Sequence, residues 1–483
     1  MKEKQKIIKK IKQTSTSQTA MKGGTYSIAI TVIVLAILIA VNIFVQVLPT
    51  TVTQYDISAA KLYSVTSNTK VVVNALEKDV TIYWIVQAGE EDAVIEKLLD
   101  KYESLSGHLR VVKKNPDIYP TFAEKYTSET VSNNSLIVEC DDRNRFISYD
   151  DIYESSGNMY TGSNSSFDGE GAITSAIDYV VNSEQPKLYV LEGHGEAEMS
   201  TSFSEQIEKE NMEIETFSLL NNDAVPEEAD CVVIYSPTTD ISEEEKGLLE
   251  TYLADGGKLF VLAGPSEESD LTNLYSLLAN YGVEAEEGIV VDTDRQHYAF
   301  GQPYILMPTL NSDTITEPLL EENYYAIMPL AKGLTVKESV GGVTVTELLT
   351  TSEQSYSKKA GYELTTYEKE EGDADGPFAL AVSIEGENES QIVWFTSSYF
   401  VEDTYNEYSS GANMDLAMNG ISSMLGEREA VAIRSKSLNY NYLTISDSTA
   451  SLIKTVMIGV FPIVYLLTGV CVVVKRRRRN EAN

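Results

Sequence analysis

Two neighbouring stretches, KLYVLEGHGEAEM (187–199) and DCVVIYSPTTDISEEEKGLLETYLADGGKLFVLAGP (230–265), decide the fold. Lys187–Leu191 and the runs 230–235 and 258–263 are short, apolar and rich in β-branched and aromatic residues. Each reads as a buried strand. The intervening segments have helical spacing. One helix starts near Ser202, with Ser202 and Glu205 in S-x-x-E order. A second opens on Ser242 and Glu245, presents Leu248, Leu249, Tyr252 and Leu253 on one face, and ends at Gly256 and Gly257. Strands that alternate with amphipathic helices imply a largely parallel sheet covered on both faces. The expected fold is therefore α/β, Rossmann-like or flavodoxin-like.

Downstream, 271–281 reads as a helix and 288–291 as a strand. Residues 378–384 and 391–396 read as strands and 413–425 as a helix, completing the sheet after an insertion at about 297–375. Upstream, 80–86, 109–113, 135–140 and 145–149 alternate like strands, and 91–104 has helical spacing. This segment reads as strand, helix, strand, helix and a closing pair of strands. It predicts a small α/β domain, thioredoxin-like in shape, without the C-x-x-C of a redox enzyme. The three cysteines, Cys140, Cys231 and Cys471, match neither a disulfide framework nor zinc spacing.

The whole chain of 483 residues carries a formal net charge of −36, which argues against nucleic acid as a partner. That charge is polarised. Residues 1–22 hold seven Lys against one Glu, and the tail opens on Lys475, Arg476, Arg477, Arg478 and Arg479. Beside these basic ends lie the two longest apolar runs, IAITVIVLAILIAVNIFVQVL (28–48) and the uncharged 455–474. About 20 helical residues cross a hydrocarbon core of about 30 Å. Both runs read as membrane spans, the second with Pro462 inside it. No A-x-A-like site follows the first, so a retained anchor is expected over a cleaved signal peptide. The positive-inside rule puts both termini in the cytoplasm and the acidic body outside the cytoplasmic membrane.

The expected organisation is a basic tail (1–25), a span (26–48), the small α/β domain (49–152), a Ser/Asn/Gly-rich linker (153–170), the larger domain (171–435), a membrane-proximal segment (436–452), a second span (453–474) and a basic tail (475–483).

Catalytic motifs are missing from the body. The single Gly-Lys pair, Gly257-Lys258, has Tyr252 where a P-loop needs its first Gly and Leu259 where it needs Ser or Thr. Neither G-x-S-x-G nor G-x-G-x-x-G occurs. Asp373-Ala-Asp375-Gly376 lacks the later acidic positions of a calcium loop and reads as a solvated turn. No catalytic, cofactor-binding or metal-binding residue is assigned. One cluster stands out at a strand's carboxyl end, where open α/β sheets bind ligands: Glu192, His194 and Glu196, joined by Asp240 from the next loop. A His among carboxylates serves a Gly-rich turn, a ligand or partner surface, or base or metal chemistry. The absence of H-x-x-x-H and of a nucleophile disfavours the last of these. An acidic rim here, with Glu198, Glu267, Glu268 and Asp270, favours a cationic ligand or a basic partner surface.

Several long segments, in order, resemble the auxiliary proteins of ABC transport systems typified by the gliding-motility protein GldG. They are YDISAAKLYSVTSNTKVVVNALEKDVTIYWIV (55–86), FDGEGAITSAIDYVV (167–181), PKLYVLEGHGEAEM (186–199), the unit 225–265, LLANYGVEAEEGIVVD (277–292), LLTTSEQSY (348–356) and GANMDLAMNGISSMLGERE (411–429). The departures are a short basic tail and Ala263-Gly264-Pro265 at a strand end where the family has an aspartate-like residue. The resemblance implies a non-enzymatic, membrane-anchored, extracytoplasmic subunit that works with a separate permease and ATPase and needs no cofactor. A stand-alone envelope scaffold or ligand-binding sensor is the alternative, and a membrane-anchored hydrolase a more distant one.

Overall fold

A computed structural model describes residues 32–41, 62, 64–158, 162–220, 222–321, 323–337, 341–425, 436–437 and scattered positions from 457 to 475. Most of the two expected spans lies outside these residues. Within the first, 32–41 is helical with Val32, Ile33, Leu35 and Leu38 exposed. No helix among the described residues is long and apolar enough to cross a membrane.

The first unit is built from α1 (Ser67–Asn74), β1 (Val80–Ile85), α2 (Ala93–Leu105), β2 (Leu109–Lys114), β3 (Ser135–Cys140) and β4 (Arg143–Ile147). The strands are ordered β2-β1-β3-β4, with β1 and β2 parallel and the other pairs antiparallel. Asp92 starts α2 by accepting the Val94 and Ile95 N–H groups. Its Ile95, Leu98, Leu99 and Tyr102 then fall on one face and are buried on the sheet. The second helix expected in this unit is reduced to the single 3₁₀ turn Ala123–Lys125 before β3. Pro116 and Pro120 interrupt the preceding segment, and a proline inside a helix removes a hydrogen bond. The strand expected at 145–149 ends earlier, because Ser148 caps the short helix Tyr149–Ile152.

Residues 153–170, expected as a linker, contain the hairpin β5 (Tyr153–Asn158) and β6 (Gly162–Phe167). Strand pairing satisfies the backbone of this Ser/Asn/Gly-rich stretch, which composition does not reveal. Helix α3 (Gly169–Val181) follows. Its Ala172, Ile173, Ala176, Ile177 and Val180 join the core of the first unit, although the sequence grouped this helix with the larger body.

The larger unit contains β7 (Lys187–Leu191), α4 (Thr201–Lys209), β8 (Glu213–Phe217), β9 (Cys231–Tyr235), α5 (Glu243–Ala254), β10 (Lys258–Leu262), α6 (Thr272–Ala279), β11 (Ala379–Glu385), β12 (Gln391–Phe395) and α7 (Ala412–Met424). Strands β8, β7, β9, β10 and β12 are parallel neighbours in that order, and β11 adds antiparallel to β12. Relative to the chain, the parallel strands run second, first, third, fourth, fifth. The order therefore reverses between β7 and β9, where doubly wound sheets open a ligand crevice. The strands are buried on both faces: Cys231, Val233, Phe260 and Leu262 pack with α4 and α7, while Val232, Ile234, Leu259 and Val261 pack with α5 and α6. This two-sided burial explains their near-continuous apolar sequences. Each such side chain contributes on the order of 2 kcal/mol. The insertion is partly integrated, since Leu334–Val336 and Thr344–Thr350 both pair with β11.

Candidate functional site

The site lies at the carboxyl edge of the parallel strands, where the order reverses. After β7 the chain turns sharply through Gly193 (φ +123°) and Gly195 (φ +70°), backbone angles that side chains disfavour. A Cβ on Gly195 would sit 2.2 Å from Thr238 Oγ1, so the close approach of two loops also requires glycine. This turn drives the His194 side chain inward. The residue is 4% exposed.

Both ring nitrogens of His194 meet carboxylates. Nδ1 lies 3.2 Å from Glu196 Oε1, and Nε2 lies 3.1 Å from Glu245 Oε1. Two acceptors on one imidazole call for the doubly protonated ring. The hydrogen bond to Glu196 and the pairing with Glu245 hold its pKa above the usual histidine value, against the opposing effect of burial. Burial likewise works against the ionised Glu196 and Glu245, yet both stay below the usual carboxylate range. Glu196 is held by His194 and by the Gly193 and His194 N–H groups, and Glu245 by Ser242 and His194. The His194 carbonyl accepts the Thr238 and Thr239 N–H groups at 3.0 and 2.9 Å. The capping box predicted at Ser242 and Glu245 is present, so Glu245 both caps α5 and clamps the loop.

Asp240 fastens another helix: its carboxylate accepts the Asn273 and Leu274 N–H groups at the start of α6. Glu192 is exposed. Of the four candidate residues, His194, Glu196 and Asp240 thus knit the loops to α5 and α6, and Glu192 faces outward. The cap expected at Ser202 sits two residues earlier, because Ser200 Oγ accepts the Phe203 N–H at 3.3 Å and Ser202 is already helical.

Beside this clamp, four loops enclose a pocket of about 500 Å3. Glu198 comes from the loop after β7, Thr238 from that after β9, Glu267 and Glu268 from that after β10, and Glu402 and Asp403 from beyond β12. Tyr235, Tyr362 and Tyr399 supply aromatic walls. The Ser236 hydroxyl donates to the Ser398 carbonyl at 2.7 Å, Ser266 to the Thr238 carbonyl at 2.7 Å, and Tyr362 to the Pro265 carbonyl at 2.8 Å. Burial and the neighbouring Asp403 raise the Glu402 carboxyl above its usual value. The segment 398–404 and Tyr362 escaped the sequence reading. The first was discoverable by applying the strand-end rule to β12; Tyr362 belongs to the insertion and carries no local signal.

No group of three or more His, Cys, Asp and Glu side chains among the described residues is placed to hold a metal ion. At Asp373 the carboxylate pairs with Lys358, whose ammonium is fully buried, and accepts the Lys359 and Glu370 N–H groups, which makes this segment a salt-bridged turn. Cys140 and Cys231 are buried free thiols, each pushed upward in pKa by that burial.

No curated protein matches the chain. Among solved structures, the mmIFT52 N-terminal domain is similar at 14% identity and a TM-score of 0.37, over 50% of this chain and 97% of that one. PurLQS from Thermotoga maritima matches at 9% identity and 0.26, over 49% and 100%. A putative ThuA-like protein from Parabacteroides merdae matches at 10% and 0.29, over 53% and 93%. Residues 59–152 match the model of a domain of unknown function, and residues 185–419 that of a family described as an ABC-type uncharacterized transport system. This second match indicates an auxiliary component of an ABC-type transport system.

Proposed function

We propose that the chain is a non-catalytic, GldG-like subunit whose body is held outside the cytoplasmic membrane by two spans, with a separate permease and ATPase as its partners. The family match over residues 185–419 carries this reading. The clamp supports it, because a histidine with both nitrogens committed to carboxylates has no lone pair for base chemistry. ATP hydrolysis then belongs to another subunit, in keeping with the sequence around Gly257-Lys258. In the same reading the first unit is thioredoxin-like in strand order, without redox function, and the larger sheet is of the flavodoxin-like class.

The edge of that sheet is the partner-facing surface. Glu192, Glu198, Glu267 and Glu268 present negative charge to a basic partner, on a frame set by His194, Glu196 and Asp240. Affinity purification from membranes in mild detergent tests the assignment. A multi-span permease and an ATPase should co-purify. Recovery of the chain alone, under conditions that retain other ABC complexes, overturns it in favour of a stand-alone scaffold. Topology is tested separately by thiol labelling in intact cells: a cysteine placed within 475–483 should stay unlabelled from outside.

A further inference from the structure

The two units meet at a second cavity, remote from the sheet edge. It measures about 400 Å3, at the small end of the roughly 300–1,000 Å3 typical of ligand pockets. Helices α1 and α3 of the first unit and α4 and α7 of the second contribute to its lining. The lining mixes apolar side chains, Val72, Leu76, Ile177, Val181, Met212 and Leu425, with Asp168, Asp178, Lys209, Glu210 and Ser422.

One polar group in the lining is buried without a partner. Ser422 is 5% exposed, and its Oγ has no hydrogen-bond partner among the described residues. Asp168 is 2% exposed; it occupies the N-cap position of α3 without capping it, and its Oδ2 is held by the Lys209 ammonium. Buried polar atoms normally find partners, so the orphaned Ser422 hydroxyl in a cavity wall points to a missing molecule. The imbalance has a sign. Asp168, Asp178 and Glu210 face one ammonium, Lys209, which is also shared with Glu154 at 2.7 Å. Nearby Glu170 brings no relief, being neutralised by Lys436 at 2.8 Å and bonded to Thr69 at 2.7 Å. Burial pushes the Asp168 and Glu210 carboxyls up to about 7. Amide groups of Asn211 and Gln206 reach Asp178 and Glu210, so the lining is short of positive charge, and much of the rest of it is apolar.

We propose that this interdomain cavity is a binding site for a small organic amine with an apolar body. Its ammonium donates to the carboxylates, Ser422 supplies a neutral polar contact, and the apolar part lies against α1 and α3. Because both units line the site, the ligand ties them together. The inference goes beyond the transport reading and does not depend on it.

The test uses the full chain in mild detergent near pH 7, with 2-phenylethylamine as probe and 2-phenylethanol and phenylacetate as controls. Calorimetry should find saturable amine binding, at least about tenfold weaker binding of the alcohol and none of the acid. The bound cation lowers the raised carboxyl pKa values, so amine binding should release protons, read as a binding heat that changes with the buffer's ionisation enthalpy. Ala75→Trp, at an exposed position on the cavity lining, and Ser422→Ala should each weaken the amine several-fold. If Ser422→Ala fails to fold, Ala75→Trp decides alone. Equal binding of all three probes, no saturable amine binding, or an amine affinity unchanged in Ala75→Trp overturns the proposal.

Discussion

The sheet edge and the interdomain cavity both bury acidic side chains, and they treat them in opposite ways. At the edge, Glu196 and Glu245 share one imidazolium and several N–H donors, and their pKa values fall. In the cavity, Asp168 shares one lysine with Glu154 and Glu210 has only the Gln206 amide, and the pKa values of Asp168 and Glu210 rise. Burial is common to both; compensation is not. A carboxylate surrounded by donors acts as a structural rivet, whereas an undercompensated one leaves its surroundings poised for a charge from outside. Helix α4 joins the two regions, since its N-cap Ser200 lines the edge pocket and Lys209 at its other end lines the cavity.

The largest expected effect breaks the edge. His194→Ala leaves Glu245 buried without its cation, and removing one partner of a buried pair costs about 3–5 kcal/mol. Chemical denaturation of the full chain at pH 6 should register this loss. A loss below about 1 kcal/mol would show that the clamp is open in solution. The pH dependence follows from the shifts. His194 has a raised folded pKa, so its contribution is complete below the unfolded value of about 6.5 and fades as pH rises through the folded value. Glu196 and Glu245 are depressed, so their contribution is present above about 4.5 and fades as pH falls through their folded values. The alkaline limb should disappear in His194→Ala.

A smaller effect of opposite sign is expected in the cavity. Glu210 titrates near pH 7 when folded, against an ordinary value of 4.5. The unfolded chain therefore ionises first, and stability drains as pH rises from about 4.5 to about 7. Glu210→Gln removes that penalty, so it should stabilise the protein by about 1–3 kcal/mol at pH 8 and change little at pH 4. Melting curves of the variant and parent at the two pH values measure it. Destabilisation at pH 8 would mean that the Glu210 carboxylate is compensated after all.

The edge was far more legible in the sequence than the cavity, for a physical reason. Strands β7, β9 and β10 and the Ser242 capping box are local patterns, and together they place the loop of His194 at a strand's carboxyl end. The inward turn of the ring depends on Thr238 crowding Gly195 and on Glu245 some fifty positions away, which no local pattern encodes. The cavity is assembled from helices of two units. Its decisive residues, Asp168 and Ser422, sit in stretches that read simply as a linker and an amphipathic helix. The hairpin at 153–167 was hidden for another reason: Ser, Asn and Gly mark loops by composition, and the pairing of the two short strands carries no apolar alternation to reveal it.

The smallest effect separates two serines on the helix that joins the regions. Sequence order favours Ser202 as the cap, with Glu205 three residues on. In the structure Ser200 accepts the Phe203 N–H and donates to the Val401 carbonyl at 3.3 Å, while Ser202 is exposed on the first turn. Losing a serine N-cap costs about 1 kcal/mol, whereas an exposed serine inside a helix is replaced by alanine at little or no cost. Ser200→Ala should thus lower the unfolding free energy by about 1 kcal/mol, and Ser202→Ala should leave it unchanged or slightly raised. Because Ser200 also ties α4 to the chain beyond β12, its loss should loosen the edge pocket first. Hydrogen exchange ought to rise at 200–204 and 398–404 while the backbone around Lys209 keeps its protection. Equal loosening at both ends of α4 would mean that the edge and the cavity open as one unit, and the contrast between them would then be one of charge alone.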